Sequence, residues 1–409
     1  MRPSVLFLAH RIPYPPNKGD KIRSYHLLLE LCTHYDVHLG CFIDDPDDEQ
    51  YIEKLRPLCA SLICLPLTRS QRYLKAALAL IQAKPVTLTL YSSNRLQKWV
   101  EHTVSQHKIN QIMVFSGAMA QFVEAEPYQS STRVIDFVDV DSDKWAQYAQ
   151  KKTGLSRWIY QREQRLLLRY EQAITERFNK SLFVSEKEAE LFRSLIPQQL
   201  ATKVDYFNNG VNSQYFDPQS VKDHPRVHPT PFIVFTGAMD YWANEDAVAW
   251  FCNRVWPSLS VRHPELSFFI VGSNPSTAVN QLSKLERVVV TGKVEDVRPY
   301  IDQALHVVAP LQIARGIQNK VLEAMAMAKP VVATGMAMEG IPLHPQLSVK
   351  IADNPDLFIQ ACDSLIRNPE GHSEANRHWL QAQFNWQQTL AKLPSFLERN
   401  DQEPSRSDG

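Results

Sequence analysis

Thirteen short apolar runs are spaced along the chain, most of them followed by a segment with helical periodicity. The first six are Val5–Ala9, Val37–Phe42, Leu62–Leu67, Gln111–Phe115, Val134–Val138 and Leu182–Val184. The other seven are Val204–Asn208, Phe232–Thr236, Leu266–Val271, Arg287–Thr291, Leu305–Ala309, Pro330–Ala333 and Ser348–Ile351. Most are continuous rather than alternating, as strands of a parallel sheet covered on both faces tend to be. Between them the pattern turns helical, for example over Asp20–Tyr35, Asn244–Val255, Asp296–Gln303, Lys320–Ala328 and Pro355–Arg367. This alternation over the whole length predicts an α/β protein.

The pattern breaks at Asp217–Pro231, DPQSVKDHPRVHPTP, which holds four prolines and little apolar content. A new apolar run, FIVFTG, follows at once. The 409 residues therefore divide into two halves, each long enough for its own sheet and core. The expected domains are 1–205 and 206–370, followed by a helical stretch over 371–398 and a disordered tail over 399–409.

Composition narrows the function classes. Hydrophobic residues at 44% and charged residues at 22% exclude a disordered or collagen-like chain. Lys+Arg and Asp+Glu are both 44, and a zero formal charge argues against a general nucleic-acid binder. No apolar run approaches the ~20 residues of a membrane-spanning helix. The start, MRPSVLFLAHRIPYPP, has too short an apolar stretch for a secretory signal. The six cysteines, Cys32, Cys41, Cys59, Cys64, Cys252 and Cys362, form no CxxC pair and fit buried thiols in a reducing compartment. The expected location is the cytoplasm.

The zero charge is unevenly spread. Lys54 to Val100 has eight basic residues and no acid, including Arg69, Arg72 and Lys75 ahead of the apolar run Ala76–Ile81. Lys151 to Lys180 has eight basic and three acidic residues, with Trp158, Ile159 and Tyr170 interleaved. A basic helix with aromatic edges can lie on an anionic membrane surface, or can be a soluble helix with a solvated basic face. Both readings stay open, and peripheral contact with the inner membrane is an expectation.

The segment most suggestive of chemistry is Ala309–Thr334, APLQIARGIQNKVLEAMAMAKPVVAT. A strand ends near Ala309, a polar loop follows, and a helix starts near Asn319–Lys320. Loops at the carboxyl ends of parallel strands bind ligands in open α/β sheets. A helix N-terminus suits phosphate, and Arg315 and Lys320 add charge beside it. Glu323 lies three residues after Lys320 on nearly the same face, and a carboxylate offers two acceptors to a ribose. These features suggest a nucleotide diphosphate; the same residues also fit a plain amphipathic helix.

This segment resembles the donor motif of glycosyltransferase family 4, in which two Glu residues bracket a Gly-containing loop and end in E-A-M-A. Glu323-Ala324-Met325-Ala326 matches its second half. TKVDYFNNGVNSQYFDP, FIVFTGAMDYWANEDAVAWF and HRIPYPPNKGDKIRSYHLLLEL resemble further stretches of that family in the same order. DFVDVDSDKWAQYA resembles the group of sugar transferases associated with PEP-CTERM/exosortase systems and exopolysaccharide production. The resemblance implies a GT-B fold: two Rossmann-like domains with parallel sheets facing a central cleft, and a last helix crossing back to the first. It implies an acceptor-binding first domain, a donor-binding second domain, a UDP- or GDP-sugar donor, a lipid-linked or polysaccharide acceptor, retention of configuration and no metal or cofactor. Donor contacts are then expected from Gly237, Gly272, Gly292, Val294, Arg315, Asn319, Lys320, Val321, Leu322 and Glu323. Acceptor-side candidates are Gly19, Asp20, Arg23, Ser116 and Gly117. Asp139, Arg315 and Glu323 are the catalytic candidates. Arg315 stands where the family has its first Glu, and the expectation is that Arg315 and Lys320 carry the diphosphate charge.

Asp139-Val140-Asp141 is also literally a DxD pair, which in GT-A enzymes holds a metal ion. That fold lacks the later donor motif, so Asp139 is expected to orient the acceptor, or Asp141 or Ser142 simply to cap a helix. A nicotinamide-dependent oxidoreductase would need G-x-G-x-x-G after a strand, and none is present. A catalytically silent nucleotide-binding module and a GT-B sugar-nucleotide epimerase remain the alternatives.

Overall fold

A computed structural model describes residues 2–68, 75, 79, 84–150, 152–314, 316–369 and 371–398. Arg69, Arg72, most of Ala76–Ile81, Arg315 and the tail 399–409 lie outside the described residues.

Each of the thirteen apolar runs overlaps a strand. The first seven are β1 (Ser4–Ala9), β2 (Asp36–Ile43), β3 (Ser61–Pro66), β4 (Gln111–Phe115), β5 (Thr132–Val138), β6 (Lys180–Phe183) and β7 (Val204–Tyr206). They form one parallel sheet in the order β3-β2-β1-β4-β5-β6-β7. The other six are β8 (Phe232–Thr236), β9 (Ser267–Val271), β10 (Val288–Gly292), β11 (Val307–Ala309), β12 (Val331–Ala333) and β13 (Val349–Ile351). Their sheet, also parallel, has the order β10-β9-β8-β11-β12-β13. Val5 to Ala9 and Phe232 to Phe235 are almost wholly buried, which is why both runs lack polar alternation.

Each sheet reverses its strand order beside its first strand, between β1 and β4 and between β8 and β11. Such reversal points open a crevice outside the carboxyl ends of the strands. Sequence position alone puts His10 after β1, Ser116 after β4, Gly237 after β8 and the loop 310–318 after β11.

The chain divides into two compact units, Met1–Phe207 with Leu390–Gly409, and Asn208–Thr389. The proline-rich stretch Asp217–Pro231 is not the divide. It packs on its own unit: Val221 is buried, Arg377 pairs with Asp217 at 2.9 Å, and the Val227 N–H donates to Gln303 at 2.7 Å. Prolines end secondary structure but leave a segment free to pack. The stretch 371–398 forms three short helices, Glu374–Gln383, Trp386–Thr389 and Leu393–Leu397, and the last packs on β4 and β5.

Candidate active site

In the second unit, Gly237 and Gly272 end β8 and β9 with φ of 155° and 158°. A Cβ at Gly272 would lie 1.6 Å from the Gly237 carbonyl oxygen, so the two strand ends meet backbone to backbone. Only glycine fits there. The Thr236 hydroxyl beside it is buried without a hydrogen-bond partner among the described residues.

The helix Asn319–Ala326 begins at the same edge. The N–H groups of Val321 and Leu322 already reach the Gln318 carbonyl, at 3.0 and 3.3 Å. Their side chains are fully buried in the apolar core. Both were expected as donor contacts; the structure gives them to the core and the first turn instead. The N–H groups of Asn319 and Lys320 take no protein acceptor among the described residues, the arrangement that a helix start offers to an anion.

Lys320 is buried. Its Nζ donates to Asn244 Oδ1 at 2.7 Å and lies 5.0 Å from the centre of the Phe235 ring. Burial pushes its ammonium down to about 8, a shift that Glu323 opposes. Burial pushes the half-buried Glu323 carboxyl up to about 7, opposed by Lys320. Two opposite groups thus titrate close to neutrality on one helical turn, as functional sites often require. Asn244 is a partner that sequence spacing hides, 76 residues from Lys320. The Asn319 side chain accepts from Asn209 at 3.4 Å.

Val294 lies in an open groove of about 620 Å³ together with Tyr215, Asp296, Arg298 and Tyr300. Asp296 grips Arg298 at 2.6 Å, and the guanidinium sits 3.9 Å from the centre of the Tyr215 ring. Burial pushes the Tyr215 phenol up, and the charge of Asp296 adds to this. Gly292, φ 69°, ends β10 with open space around it.

In the first unit, Arg23 was expected on the acceptor side. It is instead wholly buried, with Nε 2.7 Å from Asp136 and further hydrogen bonds to the Phe207 and Phe183 carbonyls. It ties β5, β6 and the end of β7 together and has no face left for a ligand. Asp20 does stand at the edge, 2.8 Å from Arg11 and 3.4 Å from His10, and Arg11 also reaches Asp44 at 2.9 Å. Burial would raise the Asp20 carboxyl, but the His10 hydrogen bond and the Arg11 charge hold it well below the usual range. His10 and Arg11 carry chemistry directly after β1, a position that could have marked them in the sequence. Gly19 begins the helix Gly19–His34 and is exposed.

Ser116 and Val138, at the ends of β4 and β5, both have left-handed backbone, φ 80° and 72°. Such strain in a non-glycine residue, above all a β-branched one, concentrates at functional sites. Gly117 follows Ser116 and packs on Phe137. Asp139 lies next to Val138 and pairs with Lys144 at 2.7 Å; Asp141 shares the same ammonium at 3.3 Å. Lys144 therefore already supplies a cation to the DxD pair. Two buried carboxylates hold this loop: Glu188 accepts from the Val140 N–H at 2.8 Å, and Glu171 from the Ser142 hydroxyl at 2.6 Å. Burial pushes Glu171 up to about 8.

The two Rossmann-like units have the fold of GT-B glycosyltransferases, and residues 230–368 match the family model described as glycosyl transferases group 1. The chain is similar to the sucrose-phosphate synthase from Thermosynechococcus elongatus, with 16% identity, a TM-score of 0.66, and 97% of this chain and 98% of that one covered. It is also similar to Anabaena Alr3699/HepE in complex with UDP-glucose, with 14% identity, a TM-score of 0.66, and coverage of 96% and 99%. An uncharacterized 44.6 kDa protein in the cps region of Klebsiella pneumoniae is 20% identical over 396 residues, 90% of this chain and 92% of that protein. Together these findings support a glycosyltransferase.

Proposed function

We propose that the protein transfers a hexose-type sugar from a UDP- or GDP-sugar to a lipid-linked or exopolysaccharide acceptor. The observation that carries this reading is the Lys320–Glu323 turn beside the glycine-narrowed ends of β8 and β9. The ammonium and the first-turn N–H groups suit a diphosphate. The carboxylate suits two ribose hydroxyls. Gly237, Gly272, Gly292, Val294, Arg315 and Asn319 complete the proposed donor site. Gly19, Asp20, Ser116 and Gly117 form the proposed acceptor side, and Asp139 and Arg315 act in catalysis with Glu323. The complexes of the Anabaena protein with UDP and UDP-glucose make UDP-glucose the first donor to try. The cps-region setting of the Klebsiella relative favours a polysaccharide acceptor. A family 4 type akin to the PEP-CTERM/exosortase-associated transferases, retention of configuration and independence of metal belong to the same reading.

Titration of UDP- and GDP-sugars, read by thermal shift, tests it, because a cognate donor stabilises the folded state by mass action. Glu323→Ala is expected to weaken nucleotide binding about tenfold to a hundredfold, the effect of losing hydrogen bonds to a charged group. Unchanged affinity would remove Glu323 from the donor site.

A further inference from the structure

Ser142, just past the carboxyl end of β5, hydrogen-bonds Glu171 of the helix Gly154–Arg177. The part of that helix before Glu171 therefore stands beyond the edge of the first sheet, as a post of about 25 Å at ~1.5 Å per residue. The helix Asp141–Gln150 packs along it. Trp145, Tyr148 and Tyr160 join the two, with ring centres 5.2 to 6.2 Å apart.

The inner side of the post is tied down. Glu163 is fully buried, pairs with Arg162 and accepts from the Val86 N–H at 2.7 Å. The outer side differs. Trp158, Gln161, Arg165 and Arg169 recur at spacings of three and four and share one helical face. All four are exposed, Trp158 by 54%. Lys152 and Arg157 are exposed at the same end. Between residues 152 and 169 the only acid is the buried Glu163, so the outer face is purely cationic. Lys152, Arg157, Arg165 and Arg169 form no ion pair among the described residues.

We propose that this face docks on an anionic lipid bilayer. Basic side chains around an exposed indole match the headgroup level, where an aromatic with an apolar body and one polar N–H settles. A nucleic acid is the poorer fit, because phosphate contacts would use the basic side chains but leave the exposed indole of Trp158 without an apolar layer to enter. The docked face would hold the carboxyl edge of the first sheet near lipid. The surface needs no nucleotide, so its test reads independently of sugar transfer.

The full chain is sedimented with vesicles of phosphatidylcholine containing phosphatidylglycerol, and with phosphatidylcholine alone. Binding to the anionic vesicles only, weakened by salt, is the expected result. Arg165→Gln with Arg169→Gln should lower the partition about 25-fold, at roughly fivefold per basic side chain. Trp158→Phe should lose quenching of tryptophan fluorescence by brominated lipid. Lys152→Gln with Arg157→Gln gives a second, independent loss if the first pair unfolds. No binding to anionic vesicles, or binding that none of these changes weakens, overturns the proposal. So does equal retention by a short DNA duplex.

Discussion

Lys320 sits in apolar surroundings against Phe235, and Asn244 is its one hydrogen-bond acceptor among the described residues. Its ammonium, pushed down to about 8, is lost from the free protein as pH rises through that value. The Glu323 carboxylate, pushed up to about 7, is lost as pH falls through its own. UDP affinity should therefore peak between the two and decline on both sides. A bound diphosphate favours the ammonium, so the alkaline limb belongs to the free protein. Calorimetric titration with UDP across this range checks the shape. Lys320→Arg should flatten the alkaline limb, since a guanidinium stays charged throughout. A wild-type profile that is already flat above pH ~8 would detach Lys320 from the phosphate.

At the scale of elements, the strands were legible because a strand covered on both faces needs a short unbroken apolar run, and the helical stretches between these runs told strand from buried helix. The helix Asn319–Ala326 was legible from the loop before it and the strand after it. The site was legible only in part. Arg23 reads as an exposed charge on an amphipathic helix because its partner, Asp136, is 113 residues away. Val321 and Leu322 follow the motif in sequence yet face the core, since about three or four of every seven helical positions point inward. Gly272→Ala would drive a methyl group into the Gly237 carbonyl, a backbone atom that cannot swing aside. The expected cost is about 3 kcal/mol or more, read as a lower denaturant midpoint. Stability equal to wild type would show that the ends of β8 and β9 separate more freely than their contact implies.

At the scale of the molecule, the last described helix, Leu393–Leu397, belongs to the first unit although the chain reaches it through the second. Leu393 and Leu397 are buried, and Lys180 lies 5.8 Å from the centre of the Phe396 ring. Truncation before Leu390 removes three buried leucines, Leu390, Leu393 and Leu397, and should lower the stability of the first unit by about 6 kcal/mol, at roughly 2 kcal/mol per buried leucine. UDP affinity of the second unit should stay the same. Two probes separate these effects: hydrogen exchange in β4 and β5, and nucleotide titration. Exchange in β4 and β5 unchanged by the truncation would show that this helix adds little.

That return of the chain also orders events during synthesis. A ribosome delivers residues 208–389 before Leu390, so the second unit has its whole sequence while the first still lacks a piece of its cover. The part made first is the part completed last. Until residues 390–397 emerge, β4 and β5 carry an uncovered apolar surface, the kind of surface that chaperones hold and that aggregation exploits.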